Sequence, residues 1–272
     1  MIQLKPYIAS TLRKLYLLQF ADYLLFVYDL VRNRKSNRDF KRDNPDFLGP
    51  PAALAYDAYN HTNWASYYSC GLTHAGLVTG LIEKHCHESK LKICEWGCGP
   101  GRVIRHLTDS ISYAEVELYG ADYNEKTIKW CQESLAGISF VNNNLEPPLP
   151  YDSETFDCVY AISIFTHLSE RLHYAWLNEL FRVIKANGVL IFTTHGDSNA
   201  ERLLPADREK YDKGLLVIKD RVQEGKKHFV AYHPRSFVRD VLLKGYLVAE
   251  HMENPAAYQL SQEVWCVKNK VY

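Results

Sequence analysis

From residue 91 onward the hydrophobic pattern switches repeatedly between a short period and a long one. Apolar runs at 91–95, 116–122, 139–142, 156–162 and 188–194 read as strands. Between them, 101–108, 124–135 and 169–184 read as helices. Ser169 opens the last of these as a side-chain cap, although Leu172 at the third position denies it a full capping box. Alternation of this kind predicts a parallel sheet covered by helices on both faces. The rhythm breaks at 196–232, which reads as an insertion: a helix near 200–204, an apolar patch at 215–218 and an alternating strand at 228–232. A helix at 234–243 and strands at 246–250 and 263–268 follow.

Ahead of this lie two segments of different character. Residues 8–31 are rich in Leu, Tyr and Phe and predict a helix, with Gln19, Asp22 and Asp29 as a narrow polar stripe. The run is too short and too charged to span a membrane. Its wide apolar surface needs cover from the main domain, another subunit or a membrane surface. Residues 32–43 then hold six basic and two acidic side chains. They read either as a solvated linker or as a basic collar suited to an anionic membrane or substrate. Asn44-Pro45 and Gly49-Pro50-Pro51 set a boundary near residue 50. The expected organisation is an N-terminal helical extension over 1–50 and a main domain over 51–272. Residues 73–88 read as the main domain's first helix. The aromatic cluster at 52–72, with Tyr56, Tyr59, Trp64, Tyr67 and Tyr68, is either core packing or a lid.

Composition narrows the function classes. With 47% hydrophobic residues among 272, the chain can build a sizeable core. A formal net charge of zero argues against a protein that grips nucleic acid along its surface, so no nucleic-acid partner is expected. Seven cysteines, several of them in expected core strands (Cys94, Cys158, Cys266), with no Cys-x-x-Cys pair, predict reduced thiols and a cytoplasmic location. His85-Cys86-His87 lacks the further ligands of a metal site, so no metal is expected. No secretory signal pattern or internal repeat stands out.

The chemistry gathers around Lys92-Ile93-Cys94-Glu95-Trp96-Gly97-Cys98-Gly99-Pro100-Gly101-Arg102. A strand ends in an acid, three glycines alternate over five residues, and a helix-compatible run follows. Glycine lets the backbone approach a ligand closely. The free N–H groups of the first helical turn suit an anionic group. About twenty residues on, a second strand ends at Asp122, placed to accept from ribose hydroxyls or to cap the next helix. By themselves these features fit a nicotinamide site as well as an S-adenosylmethionine site.

The later motifs complete a series: Phe140 to Tyr151, then Thr155-Phe156-Asp157-Cys158-Val159-Tyr160-Ala161-Ile162, Ser163-Ile164-Phe165-Thr166-His167-Leu168, and Arg182 to Thr194. In this order they resemble the class I S-adenosylmethionine-dependent methyltransferases over roughly residues 75–272. The resemblance implies a Rossmann-like α/β fold with a seven-stranded, mostly parallel sheet of order 3-2-1-4-5-7-6. It implies S-adenosylmethionine as cofactor, with Glu95, Gly97, Gly99 and Gly101 near its methionine part and ribose. Arg102 is either a partner for the methionine carboxylate or an ordinary helix residue. Asp122 would take the ribose hydroxyls and Tyr123 would pack on the adenine. Asn143, Asn144 and Leu145 fall where the adenine edge is read; the family often has an aspartate there, which leaves open which asparagine makes the contact. Ser163 lies at the carboxyl edge after the fourth strand.

The expected reaction is methyl transfer to a small molecule or glycan precursor, more naturally at oxygen. The first general-base candidate is His167 and the second His195. No Asn-Pro-Pro-Tyr tetrad of the adenine- or glutamine-directed enzymes occurs. Tyr59, Trp64, Tyr67 and Tyr68 are lid candidates, since aromatic faces stabilise a sulfonium. Residues 8–43 are the candidate element for self-association or peripheral membrane contact. Two other classes stay open: a nicotinamide-dependent oxidoreductase and a catalytically silent assembly subunit.

Overall fold

The structure, a computed structural model, describes residues 4–111 and 115–269. Two helices, α1 (Leu4–Lys14) and α2 (Leu18–Asp43), are followed by α3 (Ala52–Tyr59) and α4 (Trp64–His85). Strand β1 (Lys90–Trp96) leads through a 3-10 turn, Ile104–His106, into the single turn α5 (Leu107–Ser110). Then come β2 (Glu115–Asp122), α6 (Glu125–Ser134), β3 (Ile138–Asn142), β4 (Phe156–Ala161), α7 (Glu170–Val183) and β5 (Ile184–Thr194). Short helices α8 (Asp197–Ala200) and α9 (Pro205–Asp212) precede the hairpin β6 (Val217–Lys219) and β7 (Val230–Tyr232). A π-helical segment, Phe237–Leu242, then leads to β8 (Leu247–Met252) and β9 (Glu263–Lys268).

The main sheet has seven strands in the order β3-β2-β1-β4-β5-β9-β8, with β6 and β7 forming a separate pair. Strands β1 to β5 pair in parallel, whereas β9 runs antiparallel to both β5 and β8. Apart from the insertion pair, this is the expected order. The apolar strands owe their fully buried character to two cores. Leu77, Val78 and Leu81 of α4, with Ile128 of α6, pack on one face of the sheet. Trp176, Leu177 and Leu180 of α7, with Phe237 and Leu242, pack on the other. Ser169 Oγ accepts from Leu172 N at 3.4 Å, as its capping role predicts. Among the described residues no helix is long and apolar enough to cross a membrane, and no cluster of metal-ligating side chains occurs.

Four local expectations are corrected. The helix read over 8–31 is broken near Tyr16, whose φ is +58°, and the basic run beyond it continues as α2 rather than as a linker. No Gly or Pro interrupts 18–43, and three polar side chains of α2 fix its course. Asp29 Oδ2 accepts from Thr62 N at 2.6 Å and Thr62 Oγ1 at 2.8 Å. Asn33 Oδ1 accepts from Asn63 Nδ2 at 3.0 Å, and Asn37 Oδ1 accepts from Trp64 N at 2.9 Å. Spaced by four residues, these groups grip the α3–α4 turn.

Helix α4 starts at Trp64 rather than at 73 because Asn63 caps it, accepting from Ser66 N at 2.9 Å. The helix expected over 101–108 shrinks to the 3-10 turn and α5, since Gly101 sits at φ +67° and starts no helix. Finally, the helix expected near 200–204 ends at Ala200, and α9, with Pro205 in its first turn, follows.

Candidate active site

Three strand ends converge on one cavity. β1 delivers Gly97 and Gly99, β2 delivers Asp122 and Tyr123, and β4 delivers Ile162 and Ser163, to a hollow of about 380 Å³. It lies at the carboxyl edge of the parallel strands, where open α/β sheets bind ligands. A side hollow of about 50 Å³ continues past Trp96, Asn143, Asn144 and Leu145 to Trp176. The opposite wall is built by α3, through Asp57, Ala58, Tyr59 and Asn60, and by the β6–β7 loop, through Gly225, Lys226 and Lys227.

The glycine turn is shaped by contacts on both sides. Gly97 has φ +74°, and a Cβ there would lie 2.1 Å from Ile164 Cδ1. Gly97 N and Cys98 N donate to Ala121 O at 2.7 and 3.1 Å, tying the turn to β2. From the outer side, Tyr67 Oη and Arg105 Nη2 donate to Pro100 O at 2.7 and 3.3 Å. Glu95 is not on the cavity wall. It lies buried behind the turn, where Oε2 accepts from Ile104 N and Tyr160 Oη, each at 3.1 Å. Burial pushes its carboxyl up to about 8 against the pull of those two donors. Gly101 also sits behind the turn, against Leu135.

Asp122 closes the rim of the turn. Its Oδ2 accepts from Gly99 N at 2.9 Å and its Oδ1 from Asn124 N at 2.8 Å. Burial raises this carboxyl, while the two N–H donors draw it down. Each oxygen keeps lone-pair capacity for a further donor. Tyr123 Oη donates to Gly225 O at 3.2 Å and so joins β2 to the hairpin loop. In the side hollow, Asn143 Nδ2 donates to Asn144 O at 2.6 Å. Its buried Oδ1 has no partner among the described residues. Ser163 has φ +65°; its N donates to Thr193 Oγ1 at 2.8 Å and its Oγ to Gln262 Oε1 at 2.9 Å.

His167 and His195 both line the cavity. Their Nδ1 atoms face carbonyls of the β7 region, Phe229 O at 2.7 Å and Ala231 O at 3.2 Å. A carbonyl only accepts, so each Nδ1 carries the proton and each Nε2 is left as the basic nitrogen. Burial lowers both rings in pKa, His195 to about 4. Behind them lies a second pair. His173 Nδ1 faces Ser169 O at 2.7 Å, and its Nε2 lies 2.7 Å from His233 Nε2. The same logic makes His233 Nε2 the donor of that pair.

The four lid candidates separate. Tyr59 alone among them lines the cavity, beneath the Arg102 guanidinium, which sits 3.9 Å from its ring centroid. Trp64 and Tyr67 pack with Phe47, and Tyr68 meets His106 edge-on. Arg102 itself lines the cavity, and its buried Nε has no partner among the described residues.

Sequence reasoning missed Asp57, Asn60, Lys226 and Gln262, all on the cavity wall. Only Gly225, in a polar stretch of the insertion, carried a usable signal, since a glycine there marks a sharp turn.

Fold and cavity together define a doubly wound α/β protein with an open hollow at the glycine turn after β1. Residues 93–188 match a family model described as a methyltransferase domain, and the strand order is the one that the resemblance to the class I S-adenosylmethionine-dependent methyltransferases implies. A curated relative, the malonyl-[acyl-carrier protein] O-methyltransferase of Bacillus anthracis, is 22% identical over 165 residues, covering 60% of this chain and 57% of its own. A second, from Bacillus cereus, is 25% identical, covering 56% of this chain and 52% of its own. The chain thus spans about half the length of the curated relatives it matches. Among solved structures, the Burkholderia thailandensis 1,6-didemethyltoxoflavin-N1-methyltransferase superposes with a TM-score of 0.52 at 12% identity, over 82% of this chain and 92% of its own. That likeness is one of fold.

Proposed function

We propose that this chain transfers a methyl group from S-adenosylmethionine to a hydroxyl or carboxyl oxygen of a small molecule or glycan precursor. The observation that carries the reading is the glycine turn locked against Asp122, with an unpartnered acceptor, Asn143 Oδ1, in the hollow beside it. The residues present fit the cofactor. Gly97 and Gly99 leave the turn's backbone open to the methionine part, and the Arg102 guanidinium suits its carboxylate. Asp122 has lone pairs for two ribose hydroxyls, and Tyr123 offers a face for the adenine. Asn143 Oδ1 can accept from the adenine amino group, with Asn144 and Leu145 shaping the hollow. Glu95 and Gly101 act from behind, holding the turn's shape.

When bound, S-adenosylmethionine supplies a methyl group activated by its sulfonium. The protein's task is to align the acceptor and manage its proton; alignment of this kind is worth up to about 7–11 kcal/mol in ideal systems. His167 is the first choice of base and His195 the second, because both present a basic Nε2 while Nδ1 is held by a backbone carbonyl. The curated relatives are named as O-methyltransferases, which supports oxygen as the accepting atom. The nicotinamide reading yields to the methyltransferase-domain match. Seven free cysteines, six of them buried, support a cytoplasmic location.

Calorimetry with S-adenosylhomocysteine and with NAD tests the reading. Micromolar binding of the first alone, abolished by Gly99→Arg, is expected. Binding of NAD alone, or of neither, would overturn it.

A further inference from the structure

Helix α2 is mounted with its polar side inward. Asp22, Phe26, Asp29, Asn33, Asn37 and Phe40 repeat at helical spacing, and all six are partly buried against the domain. Four of them are polar. The face pointing away carries Phe20, Tyr23, Leu24, Val27, Tyr28 and Val31, of which Phe20, Tyr28 and Val31 are 64%, 62% and 72% exposed. On the 100° helical wheel these apolar positions share an arc of about 140°. The same arc then continues as Arg34, Lys35, Arg38, Lys41 and Arg42, all exposed. One outward stripe is therefore apolar along its first half and cationic along its second. Among the described residues only Arg42 of these five forms an ion pair, with Asp39 and Asp43.

We propose that the outward face of α2 docks this protein on an anionic phospholipid bilayer. The apolar half enters the head-group boundary, and the cationic half lies over lipid phosphates. Exposed Tyr16, Tyr23 and Tyr28 suit that depth, with an apolar ring and a polar tip. A second copy of the chain matches the stripe poorly. Parallel pairing of two α2 helices sets five cations against five. Antiparallel pairing of the apolar halves leaves both basic halves overhanging with no acidic complement on the same stripe. An anionic surface complements both halves at once, and the helix is not of a kind to cross the bilayer.

The docking also reaches the active site. Asp22, on the inward side of α2, holds Lys227 and Tyr56, which belong to the two segments forming the outer wall of the cavity. Attachment would set that wall roughly one helix diameter, about 10 Å, from the surface.

The test is co-sedimentation of the full chain with vesicles of phosphatidylcholine alone and of phosphatidylcholine mixed with phosphatidylglycerol, with light scattering of the free protein alongside. Binding to the mixed vesicles is expected, weaker by at least about tenfold on phosphatidylcholine alone and at high salt. Charge reversal in Arg34→Glu/Lys35→Glu/Arg38→Glu should lower binding to mixed vesicles by about a hundredfold. Phe20→Ser/Leu24→Ser should lower binding to both kinds by at least about tenfold. Circular dichroism identifies variants that keep the fold, and the lipid and salt arms use the unaltered protein. Failure of the unaltered chain to sediment with mixed vesicles would overturn the proposal. So would equal, salt-insensitive binding to both kinds. A dimer in solution that Leu24→Ser dissociates, without vesicle binding, would instead assign the face to a second copy.

Discussion

The Asp22 carboxylate lies 2.9 Å from the Lys227 ammonium, although more than 200 residues separate them in the chain. Lys227 is nearly buried, with its ammonium 3.8 Å from the Tyr56 ring centroid. The Tyr56 hydroxyl in turn reaches Asp22 at 3.3 Å. Three segments are thus clasped at one point: α2, α3 and the β6–β7 loop. Asp22→Ala strands a mostly desolvated cation and should cost about 1–3 kcal/mol in urea denaturation. Adding Lys227→Met should recover part of that loss; an unchanged unfolding midpoint in the single variant would discount the clasp.

Asp122 holds the Gly99 N–H of the glycine turn and the Asn124 N–H at the head of α6. Asp122→Ala should weaken S-adenosylhomocysteine binding at least tenfold, a loss of about 1.4 kcal/mol or more. Asp122→Asn, which keeps one acceptor oxygen, should lose less. Near-native affinity of the alanine variant in calorimetry would remove the residue from the site.

Gly97 faces two separate obstacles to a side chain: its φ of +74° and the Ile164 methyl, which a Cβ would meet at 2.1 Å. Gly97→Ala should destabilise by about 1–3 kcal/mol. Trimming Ile164 to alanine in the same chain should relieve the clash and leave the backbone cost, so recovery should be partial. Full recovery would show that the backbone conformation costs nothing.

The two cavity histidines make different kinetic predictions from the cofactor residues. With an accepted substrate, His167→Ala should lower kcat by about 10²–10⁴ if it is the base, while affinity for S-adenosylhomocysteine stays near native. A loss confined to His195→Ala would move the role to that ring.

Acid stability follows from buried neutral imidazoles. Burial lowers His173 to about 4 from an ordinary value of 6.5, and also lowers His233 well below that ordinary value. Between pH 6.5 and about 4 the unfolded chain takes up a proton that the native His173 ring refuses. Stability is therefore complete above pH 6.5 and falls as pH drops toward about 4. One such ring contributes a slope of about 1.4 kcal/mol per pH unit across that window. Denaturation of His173→Gln at several pH values should show a slope shallower by about that amount. An unchanged slope would mean that His173 is protonated in the folded state.

Much of this was legible in the sequence wherever local pattern dictates structure. The five parallel strands, the Ser169 cap and the glycine turn all rest on residues that are neighbours in the chain. The final strand was read with its observed bounds, 263–268. What escaped was created by distance. Lys226 faces the Tyr123 ring at 5.4 Å and Asp57 at 3.5 Å only because a loop in the insertion folds back over β2. Nothing in the spacing of those residues announces it. Tyr67 and Trp64 looked like lid aromatics, yet their helical spacing turns them into the packing behind the turn. The orientation of α2 was hidden for a different reason. Hydrophobic periodicity locates an apolar face but does not say which way it points, and here Asp29, Asn33 and Asn37 invert the usual arrangement.

The double hold on Pro100 O by Tyr67 and Arg105 has a kinetic meaning. With the turn clamped from outside, its ordering entropy is settled at folding rather than on binding. The expected consequence is that entry and exit depend on the opposite wall, which the Asp22–Lys227 contact fastens. Substitutions in the turn should change how tightly a ligand is held relative to solution, and substitutions in the fastening how long each visit lasts.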